Sequence, residues 1–431
     1  MKANEKKILR TVIAFMLVIS SILSLSSCTL GADIFNGIMG GGLPGGNDGG
    51  GNNGGQQNGA EENNGIENNG NPSLDGYIPG DITDEFYPGS GEGSTENVSS
   101  IRKTLLSTVI VIANFTYTPS VGSGVIYKLD KESGDAYIIT NYHVLHTKSY
   151  GLCDSVSVYL YGMENEGYAI SASFLGGSIT NDIAVLKVEN SEVLKNSYAE
   201  AATFTDSENV RVFDTVYAVG NPEGYGLAAT KGIVSVESED LDMEGADGND
   251  ISLRVMRIDA AINAGNSGGG LYDDQGRLIG IVIAKRTGSD IDNMAYATPS
   301  NLVKNLADNI IYYCDGVGVT QIKRVYIGIT ITANVKGLVI DPDTGDFSQA
   351  EIVEVVGVTE GSTADGRIEI GDVINGVTVD GVYLQATKAY LIPEHLLTAR
   401  AGSTVVVNVT RGEETLDITF EITESSISEV K

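Results

Sequence analysis

The sequence predicts a mainly β body followed by a small mixed α/β unit, and three observations carry that reading. Between residues 98 and 300, short β-rich runs recur between turn signals, with few helical stretches. From about 320 to 425, short strands and one short helix fill roughly one hundred residues. Ahead of both, residues 36 to about 97 are dominated by Gly, Asn, acidic residues and Pro, without Lys or Arg. Such a stretch buries too little apolar surface to offset its ordering entropy and reads as disordered. At 431 residues the chain suits two domains plus tails.

Taken in order, the N-terminus opens with Lys2, Lys6, Lys7 and Arg10, then a mostly apolar run from Thr11 to Leu25. That run is short for a membrane-spanning helix, which needs about 20 residues, and suits a secretory signal. It ends in Leu25-Ser26-Ser27-Cys28, which resembles a bacterial lipobox, with cleavage before Cys28 and lipidation of its thiol. The alternatives are a signal cut elsewhere, or an uncleaved anchor with an incidental cysteine. Residues 1–27 are therefore read as a lipoprotein signal peptide and 28–97 as a linker. A flexible coil of roughly 60 residues reaches on the order of 40 Å, enough to hold a folded body off a lipid surface. The expected location is the extracytoplasmic side of the cell membrane, lipid-anchored. A binding role for the linker itself is the other reading.

The body, 98–314, has predicted strands at Val109–Phe115, Gly124–Leu129, Ala136–Thr140, Ser155–Tyr161, Ile183–Val188, Thr215–Val219, Gly232–Val236, Leu253–Ile258 and Leu278–Ala284. Their spacing indicates a barrel or a sandwich. A helix is predicted from Pro299 to Tyr313, where Leu302, Val303, Leu306, Ile310 and Ile311 recur on one face. Ser300 suits its N-cap, and Pro299 would equally suit a turn. The last unit, 315–425, has predicted strands at Tyr326–Thr332, Ala350–Val356, Val373–Val377, Thr404–Thr410 and Glu414–Glu421, with a helix near Pro393–Ala399.

The formal net charge of −30 argues against nucleic acid, whose phosphates need a basic surface, and against adhesion to anionic lipid by charge. It reads as a solvated acidic surface. After Cys28 only Cys153 and Cys314 remain. Export permits a disulfide between them, and two buried free thiols are the other reading. No CxxC or Cys/His cluster suggests a metal site, and no cofactor is expected.

The chemistry centres on Gly265-Asn266-Ser267-Gly268-Gly269-Gly270. Glycines on both sides allow a tight turn with positive φ that uncovers the serine hydroxyl. The same turn can aim the N–H groups of Gly265 and Ser267 at one point, an oxyanion hole. A serine becomes a nucleophile only with a base and an orienting acid. The chain has 3 His: His143 directly after an apolar strand, His146 nearby, and His395 in the last unit. Asp182 stands at the mouth of the apolar run Ile183–Val188, where a buried carboxylate can accept an imidazole N–H. His146 and His395 read as structural or surface residues.

Thr140-Asn141-Tyr142-His143-Val144, Asn181-Asp182-Ile183-Ala184-Val185-Leu186-Lys187 and Gly265-Asn266-Ser267-Gly268-Gly269 resemble the three catalytic motifs of HtrA-type (DegP-like) serine proteases, in the order His, Asp, Ser. Connecting segments match as well: Gly122-Ser123-Gly124-Val125-Ile126, Val219-Gly220-Asn221-Pro222, Thr230–Ser235, Ile258–Asn263 and Tyr296–Ser300. The resemblance covers roughly 98–425. It implies a trypsin-like pair of six-stranded antiparallel β-barrels followed by a PDZ domain. It implies Ser267 as nucleophile, His143 as base, Asp182 as its orienter, and Gly265 and Ser267 N–H as the oxyanion hole. The specificity pocket falls near Ala261 and Ile262, with walls around Ile281–Ala284, Ile283 among them. Without a carboxylate there, a small or medium aliphatic residue before the scissile bond fits best.

Two departures stand out: Gly270 replaces a frequent Pro, and Tyr142 stands where Asn or Ala is more usual and could narrow the cleft. In the last unit Tyr326-Ile327-Gly328-Ile329 looks like a PDZ carboxylate-binding loop, which captures chain ends by backbone N–H groups and strand pairing. Leu396 and Leu397 are either groove or core. The implied partners are unfolded or damaged exported proteins, peptide C-termini and a membrane through the lipid. The implied assembly is a homotrimer, and the implied role is protein quality control. The competing reading is a PDZ-based chaperone or binding protein with minor proteolysis.

Overall fold

The computed structural model describes residues 95–283, 294–315, 321–340, 345 and 347–430. The chain divides into two units, Met1–Phe86 and Tyr87–Lys431, and every described residue belongs to the second. The signal segment, Cys28 and nearly all of the linker lie outside the described residues.

The described chain starts with helix α1 (Thr95–Ser107), which the sequence reading assigned partly to the linker. Its last turn is fastened by side chains. The hydroxyls of Thr108 and Ser107 lie 2.9 and 3.2 Å from the buried Tyr272 hydroxyl. Six strands then form a closed barrel in the order β1-β2-β3-β8-β7-β6. They are β1 (Thr108–Asn114), β2 (Pro119–Asp130), β3 (Asp135–Thr140), β6 (Ser155–Leu160), β7 (Ile170–Ser178) and β8 (Ile183–Val188), with a small β4–β5 ribbon (His146–Thr147, Gly151–Leu152) beside it. Alternating Val109, Val111, Ala113, Ile126, Ile138, Val156, Val158, Ala184 and Leu186 fill its core, as period-2 patterning requires.

A second set of six closes in the order β10-β11-β14-β13-β12-β9. These are β9 (Thr215–Gly220), β10 (Ala228–Glu244), β11 (Asp250–Ile258), β12 (Gly270–Tyr272), β13 (Leu278–Ile283) and β14 (Ala295–Pro299). β10 runs eight residues past the predicted Gly232–Val236 strand, pairing with β11 out to Glu244–Asp250 across two register shifts. Its acidic outer residues hid the pattern, because Leu241 and Met243 alternate with Asp240, Asp242 and Glu244 and pack on Leu253, Val255 and Tyr296.

Helix α4 (Ser300–Cys314) follows, after the short α2 (Tyr142–Leu145) and α3 (Glu192–Lys195) of the first barrel. Ser300 is not its cap. Pro299 holds the N-cap position, and the Ser300 hydroxyl instead donates to Thr205 O at 2.7 Å. The apolar stripe Leu302, Val303, Leu306 and Ile310 packs into a cluster with residues of both barrels, including Val185 and Tyr272.

The last unit contains a six-stranded sheet ordered β16-β17-β18-β20-β21, with β19 paired to β18. The members are β16 (Ile329–Ile340), β17 (Phe347–Val358), β18 (Val373–Val379), β19 (Val382–Gln385), β20 (Thr404–Arg411) and β21 (Glu414–Glu421), with helix α5 (Leu391–Leu396). A two-stranded ribbon of β15 (Ile322–Val325) and β22 (Ile427–Val430) extends this unit past residue 425. Its core gathers Val353, Val355, Ile374, Val377, Val405, Val407 and Phe420.

Candidate active site

Each predicted member of the triad sits just outside a strand, where chain direction changes. His143 lies in the single turn α2 after β3, and Asp182 at the end of a 3-10 turn before β8. Asp182 has φ 50, a left-handed conformation that Asp tolerates better than most residues. Its carbonyl is held there by Tyr142 N–H at 3.2 Å and by the buried Asn141 amide at 2.9 Å. The carboxylate, almost wholly buried, meets His143 twice. Oδ1 accepts the backbone N–H at 2.9 Å and Oδ2 lies 2.7 Å from Nδ1. His143 Nε2 is 3.0 Å from Ser267 Oγ. With Asp182 facing Nδ1, the proton belongs on Nδ1 and leaves Nε2 to accept from the serine hydroxyl.

Ser267 precedes β12 in a loop whose glycines are required by contact. Gly268 has φ 83, and a Cβ there would lie 2.2 Å from Ser123 O and 2.4 Å from Thr140 Oγ1. Gly265 has φ 93, and its Cβ would lie 2.2 Å from Asn221 O. The Ala264 carbonyl accepts Glu223 N–H at 2.7 Å. In a planar trans peptide C=O and N–H point oppositely, so Gly265 N–H is turned away from Glu223.

The trypsin-like peptidase domain family matches residues 122–281. Serine protease Do-like HtrA of Lactococcus lactis subsp. cremoris (strain MG1363) is 32% identical over 329 residues, covering 71% of this chain and 74% of that protein. The chain belongs to the HtrA-type serine proteases. Serine protease Do-like HtrA of Bacillus subtilis (strain 168) is 38% identical over 212 residues, 49% of this chain, and the match spans only 42% of that relative's length. Among solved structures, the HtrA-type protease AlgW with tripeptide is 26% identical with a TM-score of 0.50, covering 76% of this chain and 96% of that one.

The other predicted residues of this HtrA-type chain fall in several places. Ile262 packs against the core of the second barrel, while Ile283 is buried with Leu253, Val255 and Tyr296 in a separate cluster. Ala261 is exposed, and its carbonyl accepts the Thr230 hydroxyl at 3.0 Å. Ala284, Lys285 and Arg286 lie outside the described residues. Tyr142 stands next to His143 in the turn α2. Its ring packs on Phe174 (5.8 Å between centroids) and over Gly177, against the first barrel. Its phenol is pushed up by burial and by Asp247.

Tyr326 is half-exposed, and its N–H donates to Ser426 O at 2.7 Å. The Ile327 carbonyl accepts Ala364 N–H at 3.0 Å, Gly328 has φ 91, and Ile329 opens β16 at the end of the sheet order. Leu396 belongs to the core of the last unit, whereas Leu397 packs in the cluster containing α4. Cys153 and Cys314 are both free, and burial pushes the Cys314 thiol up to about 11. A cleft of about 820 Å³ lies between the second barrel and the last unit, lined by Val212, Leu338, Arg254 and Glu394 among others, and no triad residue reaches it.

Sequence reasoning missed the supports of the site: Asn141 behind Asp182, Glu223 behind Ala264, and Ser123 against the serine loop. Ser123 and Gly265 are separated by 142 positions. The only local sign was a small polar residue between two glycines in an apolar strand.

Proposed function

We propose that the chain is a serine endopeptidase that works through an acyl-enzyme. The relay from Asp182 to His143 (2.7 Å) and from His143 to Ser267 (3.0 Å) is the observation that carries this reading. Ser267 Oγ attacks the peptide carbonyl carbon while its proton passes to His143 Nε2. Asp182 holds the tautomer and balances the imidazolium. The oxyanion forms against Gly265 and Ser267 N–H, each donor worth about 3–4 kcal/mol in comparable sites. Collapse breaks the C–N bond as His143 returns the proton to the leaving amine. Water then repeats the two steps, releasing the acid and restoring Ser267.

The preferred substrates are unfolded or damaged exported proteins, whose extended apolar segments can lie along a cleft. A small or medium aliphatic residue precedes the scissile bond, because a Lys or Arg beside Ile262 would be desolvated without a partner. The last unit acts as a PDZ domain. Its support is the Gly328 turn leading into β16, an edge strand that a peptide C-terminus can extend. Lipidation at Cys28 tethers the protease to the extracytoplasmic membrane face, and assembly is as a homotrimer.

The test compares the chain with its Ser267→Ala variant on unfolded casein, mapping the cleavage sites. The expected loss is about 10⁶-fold in kcat, with parent cuts after aliphatic residues. Equal cleavage by both proteins, or none by either, would sink the assignment.

A further inference from the structure

The serine loop is rich in glycine, and glycine peptides rotate at little steric cost. Something outside the loop must therefore set its peptide planes. The Ala264–Gly265 plane is set by Glu223 N–H on the Ala264 carbonyl (2.7 Å). The Asn266–Ser267 plane has its carbonyl bonded within the loop, to Gly269 N–H at 2.9 Å. The planes between and after these bond through their N–H groups to Asn263 O (3.1 Å) and Val282 O (3.0 Å), and their carbonyls both meet one residue of the opposite barrel. Ser123, wholly buried in β2, donates its hydroxyl to Gly265 O at 2.7 Å and its N–H to Ser267 O at 2.8 Å. Those two planes flank the peptide that carries Ser267 N–H.

The same hydroxyl accepts Asn221 N–H at 2.8 Å, which anchors the turn presenting Glu223. Thr140, two residues before the helix turn that holds His143, donates to Ser123 O at 2.7 Å. One residue thus joins all three: its hydroxyl ties the loop to the turn that clamps it, and its backbone carbonyl meets the strand end that carries the base.

We propose that Ser123 is the positioning residue that keeps the Gly265–Ser267 peptides oriented for oxyanion binding, acting from the first barrel on a loop of the second. This rests on the endopeptidase reading above. Ser123 touches no reacting atom. Its contribution is to remove rotational freedom that the glycines would otherwise leave in the oxyanion donors. Loss of the hydroxyl leaves the Gly265 carbonyl and the Asn221 N–H without that partner, and the loop samples planes in which a donor faces away.

The experiment uses the full chain with Ser123→Ala and Ser123→Cys, the thiol being a weak donor of similar shape. For Ser123→Ala the expected result is a 10²–10³-fold fall in kcat, the size seen when one oxyanion donor is lost. KM should stay within about threefold, with Ser123→Cys intermediate. Affinity for a peptide boronate, whose tetrahedral adduct fills the hole, should fall in parallel. In a Ser267→Ala background, binding of an uncleaved peptide should not change. Amide hydrogen exchange at Gly265, Asn266 and Ser267 should accelerate while the barrel strands stay protected.

Unchanged loop exchange, or a kcat loss that vanishes once activity is expressed per folded molecule, would overturn the inference. If Ser123→Ala does not fold, the graded response of Ser123→Cys decides by the same readouts. An inert parent would instead overturn the endopeptidase reading, and exchange at the loop would still report whether Ser123 tethers it.

Discussion

The two seams of the described body are closed by opposite chemistries. Between the barrels at the serine loop, the contacts are short, neutral and have backbone on at least one side: Ser123 on Gly265, Ser267 and Asn221, with Gly268 where a Cβ would collide with Ser123 O. Between the second barrel and the last unit, the centre is a buried ion pair. Arg254 grips Glu394 with two bonds of 2.6 Å, stacks 4.1 Å from the Tyr390 ring and reaches Glu208 at 3.5 Å. Asn305 and Asn309 add amide bonds to Glu394 O and Leu397 O at 3.0 Å each. Burial pushes Glu394 up while Arg254 opposes it.

The difference separates two jobs. Neutral bonds cost little to desolvate and orient peptide planes finely, which suits a catalytic loop. A buried ion pair recovers little more than its desolvation cost but is strongly destabilising to break on one side, so it specifies which surfaces meet.

Breaking the first seam should give the largest effect. Gly265→Ala places a methyl 2.2 Å from Asn221 O, within the second barrel, at a φ that alanine adopts only with strain, and so shifts the carbonyl that Ser123 holds across the seam. We expect kcat to fall by at least about 10²-fold, with KM nearly constant, read on a peptide substrate. Breaking the second seam should move stability and spare the chemistry. Glu394→Ala should cost about 3 kcal/mol, the lower end for an orphaned buried charge because Glu208 remains near Arg254. The double change Arg254→Met with Glu394→Leu should cost little or stabilise, and urea midpoints of the three proteins decide this.

The smallest effect concerns an ion pair inside the last unit. Arg411, bonded to Asp372 at 2.7 Å through two nitrogens, holds that carboxyl below its usual range. A depressed folded value means that the contribution is present above the unfolded value of about 4 and is lost as pH falls through the folded one. Asp372→Asn should therefore lower the melting temperature at pH 6 and converge on the parent in strong acid. Parallel curves at every pH would remove Asp372 as the source.

Much of the site was legible because motif residues are contiguous with the strands they interrupt. His143 and Asp182 stand at the ends of apolar runs and Ser267 between glycines, so local patterning marked all three. The long β10–β11 arm was half-hidden because acidic residues on its outer face masked an alternation that Leu241 and Met243 complete only by packing. Helix α1 was missed for a similar reason, since its end is secured by Tyr272 from a strand far along the chain.

By itself, then, the sequence determined the β-rich body, the order of the three triad candidates and the glycines that flank Ser267. Those properties arise from side-chain type and short-range backbone preference. Only the tertiary structure decided which groups hold the machinery in register. Ser123 meets Gly265 across 142 positions, and Arg254 meets Glu394 across 140, at distances no local pattern encodes. It also sent Ile262 and Ile283 to different apolar clusters and Leu397 to the cluster of α4. Such partners are chosen by closure of the barrels and docking of the last unit, where burial selects among distant residues that look equivalent in one dimension.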